Sequence, residues 1–296
     1  MKIPKFIRKI LGGTLKKVFV FFQFFGIHIT RVHYYQPIPD TRKLGKKNLD
    51  KKFSMTGLKM NSEKQIDLLK LFEGKYKKEY ESVFKSTRDG NGSIGPVDTE
   101  TLYSMVRYLK PKRIIEIGSG YSTLMMAKAI LKNKEDGAYD CQLESIDPYP
   151  ANFIEKGFDG FSKLIKKEVQ EIPVEYFNKL EENDILFVDT SHVLKIGGDV
   201  QYEYLEIIPN LNKGVFVHIH DIFMPKEYPE KWIMEDHTFW NEQYLLQAFL
   251  AFNSEFEIIL ATNFLHQKFP ELFEKFFSSY DRLTSSPGSF WIKRNN

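Results

Sequence analysis

Arg113-Ile114-Ile115-Glu116-Ile117-Gly118-Ser119-Gly120-Tyr121-Ser122-Thr123 is the stretch that decides the fold of this 296-residue chain. A short apolar strand ends in an acid, Glu116, and runs at once into Gly118 and Gly120. A helix-forming run, Leu124 to Leu131, follows. Strand, glycine turn and helix in succession form a nucleotide-type cofactor site at the carboxyl edge of a parallel sheet. The glycines allow a tight turn and let a ligand approach the backbone. The bland alternative is the same strand, turn and helix with no ligand.

The residues narrow the ligand. A dinucleotide turn needs Gly or Ala at its third small position, and Thr123 stands there. No lysine-bearing phosphate loop is present. An acid two residues before the first glycine suits a cationic ligand end better than phosphates. A second acid, Asp147, ends the next apolar run, where a carboxylate can accept both hydroxyls of a ribose. The E-x-G-x-G pattern resembles motif I of class I S-adenosylmethionine-dependent methyltransferases. That resemblance implies that Glu116, Gly118 and Gly120 sit under the methionine part of S-adenosyl-L-methionine, with Asp147 on its ribose. Tyr121 and Ser122 open the helix, where free N–H groups can take the carboxylate. Gln170 follows the third strand, a position next to the adenine.

The rest of the chain alternates in the same way. Strands are expected at 113–117, 142–146, near 161–169, at 184–188, 215–219 and 256–261, and at the end over 287–293. Helices are expected at 97–109 with Asp98 as cap, and at 122–131, 174–180, 200–211 and 239–252, with a helical insertion at 270–277. The fold expected is α/β, a Rossmann-like doubly wound, mostly parallel sheet of seven strands with an antiparallel last strand. Residues 1–45 read as a basic, aromatic N-terminal helix and extended segment, 46–95 as a helical lead-in with a loop at Asp89 to Gly92, and 96–296 as the catalytic domain.

Two further strand ends carry chemistry. Ile185-Leu186-Phe187-Val188-Asp189-Thr190-Ser191-His192 ends the fourth strand and Val215-Phe216-Val217-His218-Ile219-His220-Asp221 the fifth. Polar groups at the ends of apolar strands are costly to bury without partners. Asp189, His192, His218, His220 and Asp221 are therefore a candidate cluster, with His218 weighed as a core residue. Asp189, His220 and Asp221 resemble the positions of metal ligands in cation-dependent O-methyltransferases, which implies Mg²⁺ or another divalent cation, Asp189 beside the cofactor, and His192 as the proton acceptor. His220 replaces the carboxylate usual there. His33 to Asp40, Ser191 to Val200 and His218 to Phe223 resemble a branch of class I methyltransferase-like proteins found in secondary-metabolite and surface-polysaccharide settings.

These residues lead to an O-methyltransferase acting on a small-molecule or glycan hydroxyl, with His192, His220 and Asp221 catalytic. Tyr34, Tyr35, Trp232, Phe239 and Trp240 are candidates for the acceptor pocket, and 222–235 for a loop over it. A cofactor-binding scaffold and a metal-dependent hydroxylase on the same fold are the competing readings. The net charge of +3 implies no nucleic-acid partner, and the one cysteine, Cys141, excludes an internal disulfide and fits a cytoplasmic setting. Lysines and arginines alternate with apolar residues over 1–17, and Val18 to Phe25 is an aromatic run too short to cross a bilayer. Residues 1–27 are read either as a helix at a membrane interface or as one docked on the domain or a partner, a second copy included.

Overall fold

The computed structural model describes residues 17–45, 49–85 and 94–295. The expected loop at Asp89 to Gly92, and residues 1–16 of the basic segment, lie outside the described residues. The chain divides into two compact units: Met1–Asp50 with Pro229–Phe239, and Lys51–Tyr228 with Trp240–Asn296.

In the first unit, residues 17–23 are helical. The Phe22 carbonyl closes the turn that follows, accepting the N–H groups of Phe25 and Ile27. A 3₁₀ turn, Thr41–Lys43, follows Asp40, whose carboxylate pairs with Arg42 at 2.8 Å. Part of the stretch expected as a loop is helical instead. Pro229 leads into a helix at Glu230–Met234, as a proline's fixed φ and missing N–H allow at a helix start.

The second unit holds the sheet. Its strands are β1 (Arg113–Ile117), β2 (Gln142–Ile146), β3 (Lys163–Ile165), β4 (Ile185–Val188), β5 (Phe216–Ile219), β6 (Phe256–Ala261) and β7 (Phe290–Arg294), in the order β3-β2-β1-β4-β5-β7-β6. Neighbours from β3 to β5 are parallel, and β7 runs antiparallel to both β5 and β6. The expected seven-stranded, mostly parallel sheet with its reversed last strand is the sheet observed. The chain order turns back between β1 and β4, the switch point where ligands bind such sheets.

Strand alternation builds a core on each side of the sheet. Ile114, Leu143, Ile185, Phe187 and Phe216 face one cluster, and Ile115, Ile146, Leu186, Val188 and Val217 face the other. Each fully buried side chain of this size contributes about 1.5–3 kcal/mol. The helix Ser62–Lys75 joins the first cluster through Leu69 and Phe72.

Three local expectations change. Asp98 does not cap its helix, which starts at Pro96 after Gly95. Its carboxylate instead accepts the N–H groups of Gly288 and Ser289, at 2.9 Å each, just before β7. The helix expected at 200–211 is composite: α over Asp199–Tyr202, π over Glu203–Ile207, and 3₁₀ over Ile208–Asn210. The helix expected at 174–180 is a 3₁₀ segment, Val174–Lys179.

Candidate active site

Glu116 and the glycine turn show how the first strand end is held. Glu116 lies two residues after Ile114, so its side chain points to the same covered face and is fully buried. Three hydroxyls donate to it: Ser122 at 2.6 Å, Thr123 at 2.6 Å and Ser145 at 2.5 Å. Burial raises its carboxyl to about 7, against the pull of those donors. Thr123 also accepts the Gly120 N–H at 3.0 Å. Glu116 thus anchors the turn from behind.

Gly118 has φ +82°, and a Cβ there would stand 1.9 Å from the Asp189 carbonyl oxygen. The β1 and β4 exits meet at this point with no room for a side chain. Positive φ and close approach both demand glycine.

In front of the turn lies a cleft of about 440 Å³, open at the carboxyl ends of β1, β2 and β4. Small-molecule sites span roughly 300–1,000 Å³. Of the residues expected to bind the cofactor, Gly118, Asp147, Gln170 and Asp189 line it. Glu116 and Ser122 are buried outside its lining, and Gly120 and Tyr121 are partly exposed but do not line it either. Two serine–aspartate clasps flank the cleft. Asp147 accepts the Ser119 N–H at 3.0 Å and its hydroxyl at 2.6 Å. Asp199 accepts the Ser191 N–H at 3.0 Å and its hydroxyl at 2.6 Å. Gln170 leaves its side-chain carbonyl oxygen buried with no hydrogen-bond partner. A buried acceptor left unmade costs about 1–3 kcal/mol, and since Gln170 lines the cleft, a turn of its side chain would offer this oxygen to a ligand amino group. A hollow of about 600 Å³ between Gly57 and β6 is larger, but Glu257, its one carboxylate, is already paired with Lys64 at 2.9 Å.

Asp189 joins the cleft to the second cluster. It lines the cleft, and its Oδ1 stands 3.3 Å from His192 Nε2 and 3.5 Å from His220 Nδ1. Asp221 Oδ2 lies 3.9 Å and 3.6 Å from the same two nitrogens. Two oxygens and two nitrogens thus alternate around a small ring. His192 Nδ1 is 2.8 Å from Glu242 Oε2, and Glu242 Oε1 accepts the Tyr204 hydroxyl at 3.0 Å. Trp240 packs on the His192 ring with centroids 4.3 Å apart. His192 and Asp221 both have left-handed backbones, φ 56° and 54°. For residues other than glycine this conformation costs roughly 1–3 kcal/mol and concentrates at functional sites.

Electrostatics follows from the ring. Burial pushes Asp189 up, but His220 and His192 outweigh it and hold the carboxyl well below the usual range. Burial pushes both imidazoles down. Asp189 and Glu242 outweigh it at His192 and raise it well above its ordinary value. Asp189 and Asp221 bring His220 up to about 10. Asp221 is raised, because burial exceeds the pull of the two histidines. His218 is a core residue: it stacks on Phe187 at 4.3 Å, lies 4.7 Å from Trp291 and meets the Ser289 hydroxyl at 3.1 Å. Burial lowers its pKa well below the ordinary value. Among the described residues, no group of three or more His, Cys, Asp and Glu side chains is arranged to hold a metal ion.

The sequence reading missed Glu242, Tyr204, Ser119, Ser191 and Asp199. Glu242 reaches His192 from 50 residues away, and no local spacing marks it. Asp199 had a sign, since it follows Gly197-Gly198 at a helix start.

Residues 115–222, from within β1 to just past β5, match a family model described as "Methyltransferase domain". An uncharacterized protein of Archaeoglobus fulgidus is 28% identical over 170 residues, 52% of this chain and 74% of the relative. Among solved structures, the O-methyltransferase TomG from Streptomyces achromogenes, involved in tomaymycin synthesis and bound to SAM, is 12% identical with a TM-score of 0.43, covering 80% of this chain and 100% of that one. The O-methyltransferase from Bacillus cereus in complex with SAH is 12% identical with a TM-score of 0.40, covering 74% of this chain and 90% of that one. A putative O-methyltransferase from Klebsiella pneumoniae is 13% identical with a TM-score of 0.41, covering 70% and 83%. The fold is set by the observed strand order, β3-β2-β1-β4-β5-β7-β6.

Proposed function

We propose that the protein is an S-adenosylmethionine-dependent O-methyltransferase acting on the hydroxyl of a small molecule or glycan. One observation carries this reading. The cleft that joins Gly118, Asp147 and the unpaired Gln170 oxygen shares Asp189 with the ring around His192. A cofactor site and a proton-handling site therefore adjoin at one carboxylate.

Bound in the cleft, S-adenosylmethionine supplies an electrophilic sulfonium methyl and departs as a neutral thioether. Asp147 suits the ribose hydroxyls, and the Gln170 oxygen suits the adenine amino group. Asp189, held ionised by its histidines, would suit the positive end. His192 would take the acceptor's proton, so that the oxygen could displace the thioether at the sulfonium methyl. Glu242 fixes the imidazole from behind, so that Nε2 points toward Asp189 and Asp221. In the arrangement described, the surrounding carboxylates keep His192 protonated. Once Asp189 faces a second positive charge, its hold on the imidazolium weakens and the pKa falls, which makes Nε2 a base. General-base catalysis of this kind contributes ~10²–10⁴-fold in rate.

Calorimetry with S-adenosylhomocysteine tests the reading. Micromolar binding, weakened at least tenfold by Asp147→Ala, is expected. An absence of heat with the native protein would end it.

A second reading adds a divalent cation among Asp189, His220 and Asp221, whose side chains are not arranged as a metal site in the structure described and would have to draw together around it. One observation favours it: neither ring nitrogen of His220 has a hydrogen-bond partner among the described residues, although both are buried. The donor set of two carboxylates and one imidazole suits Mn²⁺, Fe²⁺ or Zn²⁺. Such an ion would favour the ionised form of an acceptor hydroxyl. Mass spectrometry of the purified protein decides: stoichiometric metal supports this reading, and its absence together with unchanged activity in chelator removes it.

A further inference from the structure

We propose that residues 17–38, led by the basic N-terminal sequence, dock the protein on an anionic lipid surface. Two independent features converge. The first is exposed apolar area: Phe21, Phe24 and Phe25 stand 60–88% exposed, and Val32, Tyr34 and Tyr35 stand 66–80% exposed. The phenylalanines meet one another edge-on, Phe21 with Phe25 at 5.3 Å and Phe24 with Phe25 at 5.5 Å. They form one aromatic cluster, where an isolated exposed side chain would need no explanation.

The second feature is charge. Seven lysines and arginines precede Asp40, the first acidic residue, namely Lys2, Lys5, Arg8, Lys9, Lys16, Lys17 and Arg31. Residues 1–39 therefore carry +7, and the remaining residues sum to −4, because the whole chain is +3. Lys17 and Arg31 lie within the segment that carries the exposed aromatics, and the other five charges lie in the sequence immediately before it. Phenylalanine and tyrosine settle at the headgroup boundary, while lysine and arginine reach anionic headgroups.

No helix among the described residues is long and apolar enough to cross a membrane, so the geometry fits a segment lying in the interface. A protein partner would have to match seven positive charges with no carboxylate on this side before Asp40. An anionic bilayer does so without side-chain complementarity. The proposal is independent of the chemistry in the cleft.

Vesicle flotation of the full chain tests it. Two vesicles are compared, phosphatidylcholine alone and phosphatidylcholine mixed with phosphatidylglycerol, each at low and high salt. Binding to the mixed vesicles at least about tenfold tighter than to the neutral ones, and weakened by salt, is expected. The triple variant Phe21→Ser, Phe24→Ser, Phe25→Ser should lose most of that binding while melting at the native temperature. No binding to mixed vesicles, or equal binding by the triple variant, would overturn the proposal. So would self-association through this segment in gel filtration with no vesicle binding.

Discussion

Two acidic clusters stand at the carboxyl edge of the same sheet and differ in how completely they are satisfied. Around Glu116, three hydroxyls converge on one carboxylate, and the group faces away from the cleft. Around Asp189, four charged or chargeable side chains stand 3.3 to 3.9 Å apart, and one of them opens on the cleft. A closed network holds a turn. An open one retains capacity to bind a ligand or move a proton. Sequence position alone, acid at a strand end, does not separate the two. The next partners do: serine and threonine for Glu116, histidine for Asp189.

The largest effect that can break this contrast comes from the joint between the two clusters. Gly118→Ala forces a methyl group to within 1.9 Å of the Asp189 carbonyl oxygen, at a backbone angle alanine avoids. It should destabilise the fold by more than about 3 kcal/mol, or leave soluble protein without nucleoside binding. Thermal melts and calorimetry read both. Next is His192→Ala, which should lower turnover ~10²–10⁴-fold and leave the affinity for S-adenosylhomocysteine within about threefold. Equal loss of affinity would place His192 in the closed class with Glu116.

Glu116→Ala orphans three buried hydroxyls and should cost about 2–4 kcal/mol in urea unfolding. The smallest effect is a pH slope. Glu116 holds its proton up to about 7 in the folded state, while the unfolded chain releases it near 4.5. The folded state therefore binds more protons between those values, and stability should fall as pH rises through that window, by ~1–3 kcal/mol in all. Glu116→Gln should flatten this part of the profile. An unchanged slope would mean that other groups cause it.

Much of the fold was legible because its strands are short apolar runs ended by glycine or acid. Val215 to Ile219 is an example, observed as β5 at Phe216–Ile219. What failed was local structure set by distant contacts. Asp98 reads as a helix cap, yet it clamps the entry to β7, 190 residues away. In the composite helix from Asp199 to Asn210, Pro209 marks the change to a 3₁₀ end, but no residue type or spacing marks the π turn before it. Within the site, residues at strand ends could be named, because strand order places them side by side. Glu242 could not, since it belongs to a later helix, Glu242–Leu250, and reaches His192 through tertiary packing.

A crystal of the full chain soaked in S-adenosylhomocysteine would show whether the cleft beside Asp189 takes the nucleoside. The ribose should lie on Asp147, the adenine amino group within hydrogen-bond reach of the Gln170 oxygen, and the sulfur on the Asp189 side of the cleft toward His192. Density elsewhere, or a cleft that admits no nucleoside while the protein remains folded, would contradict the account.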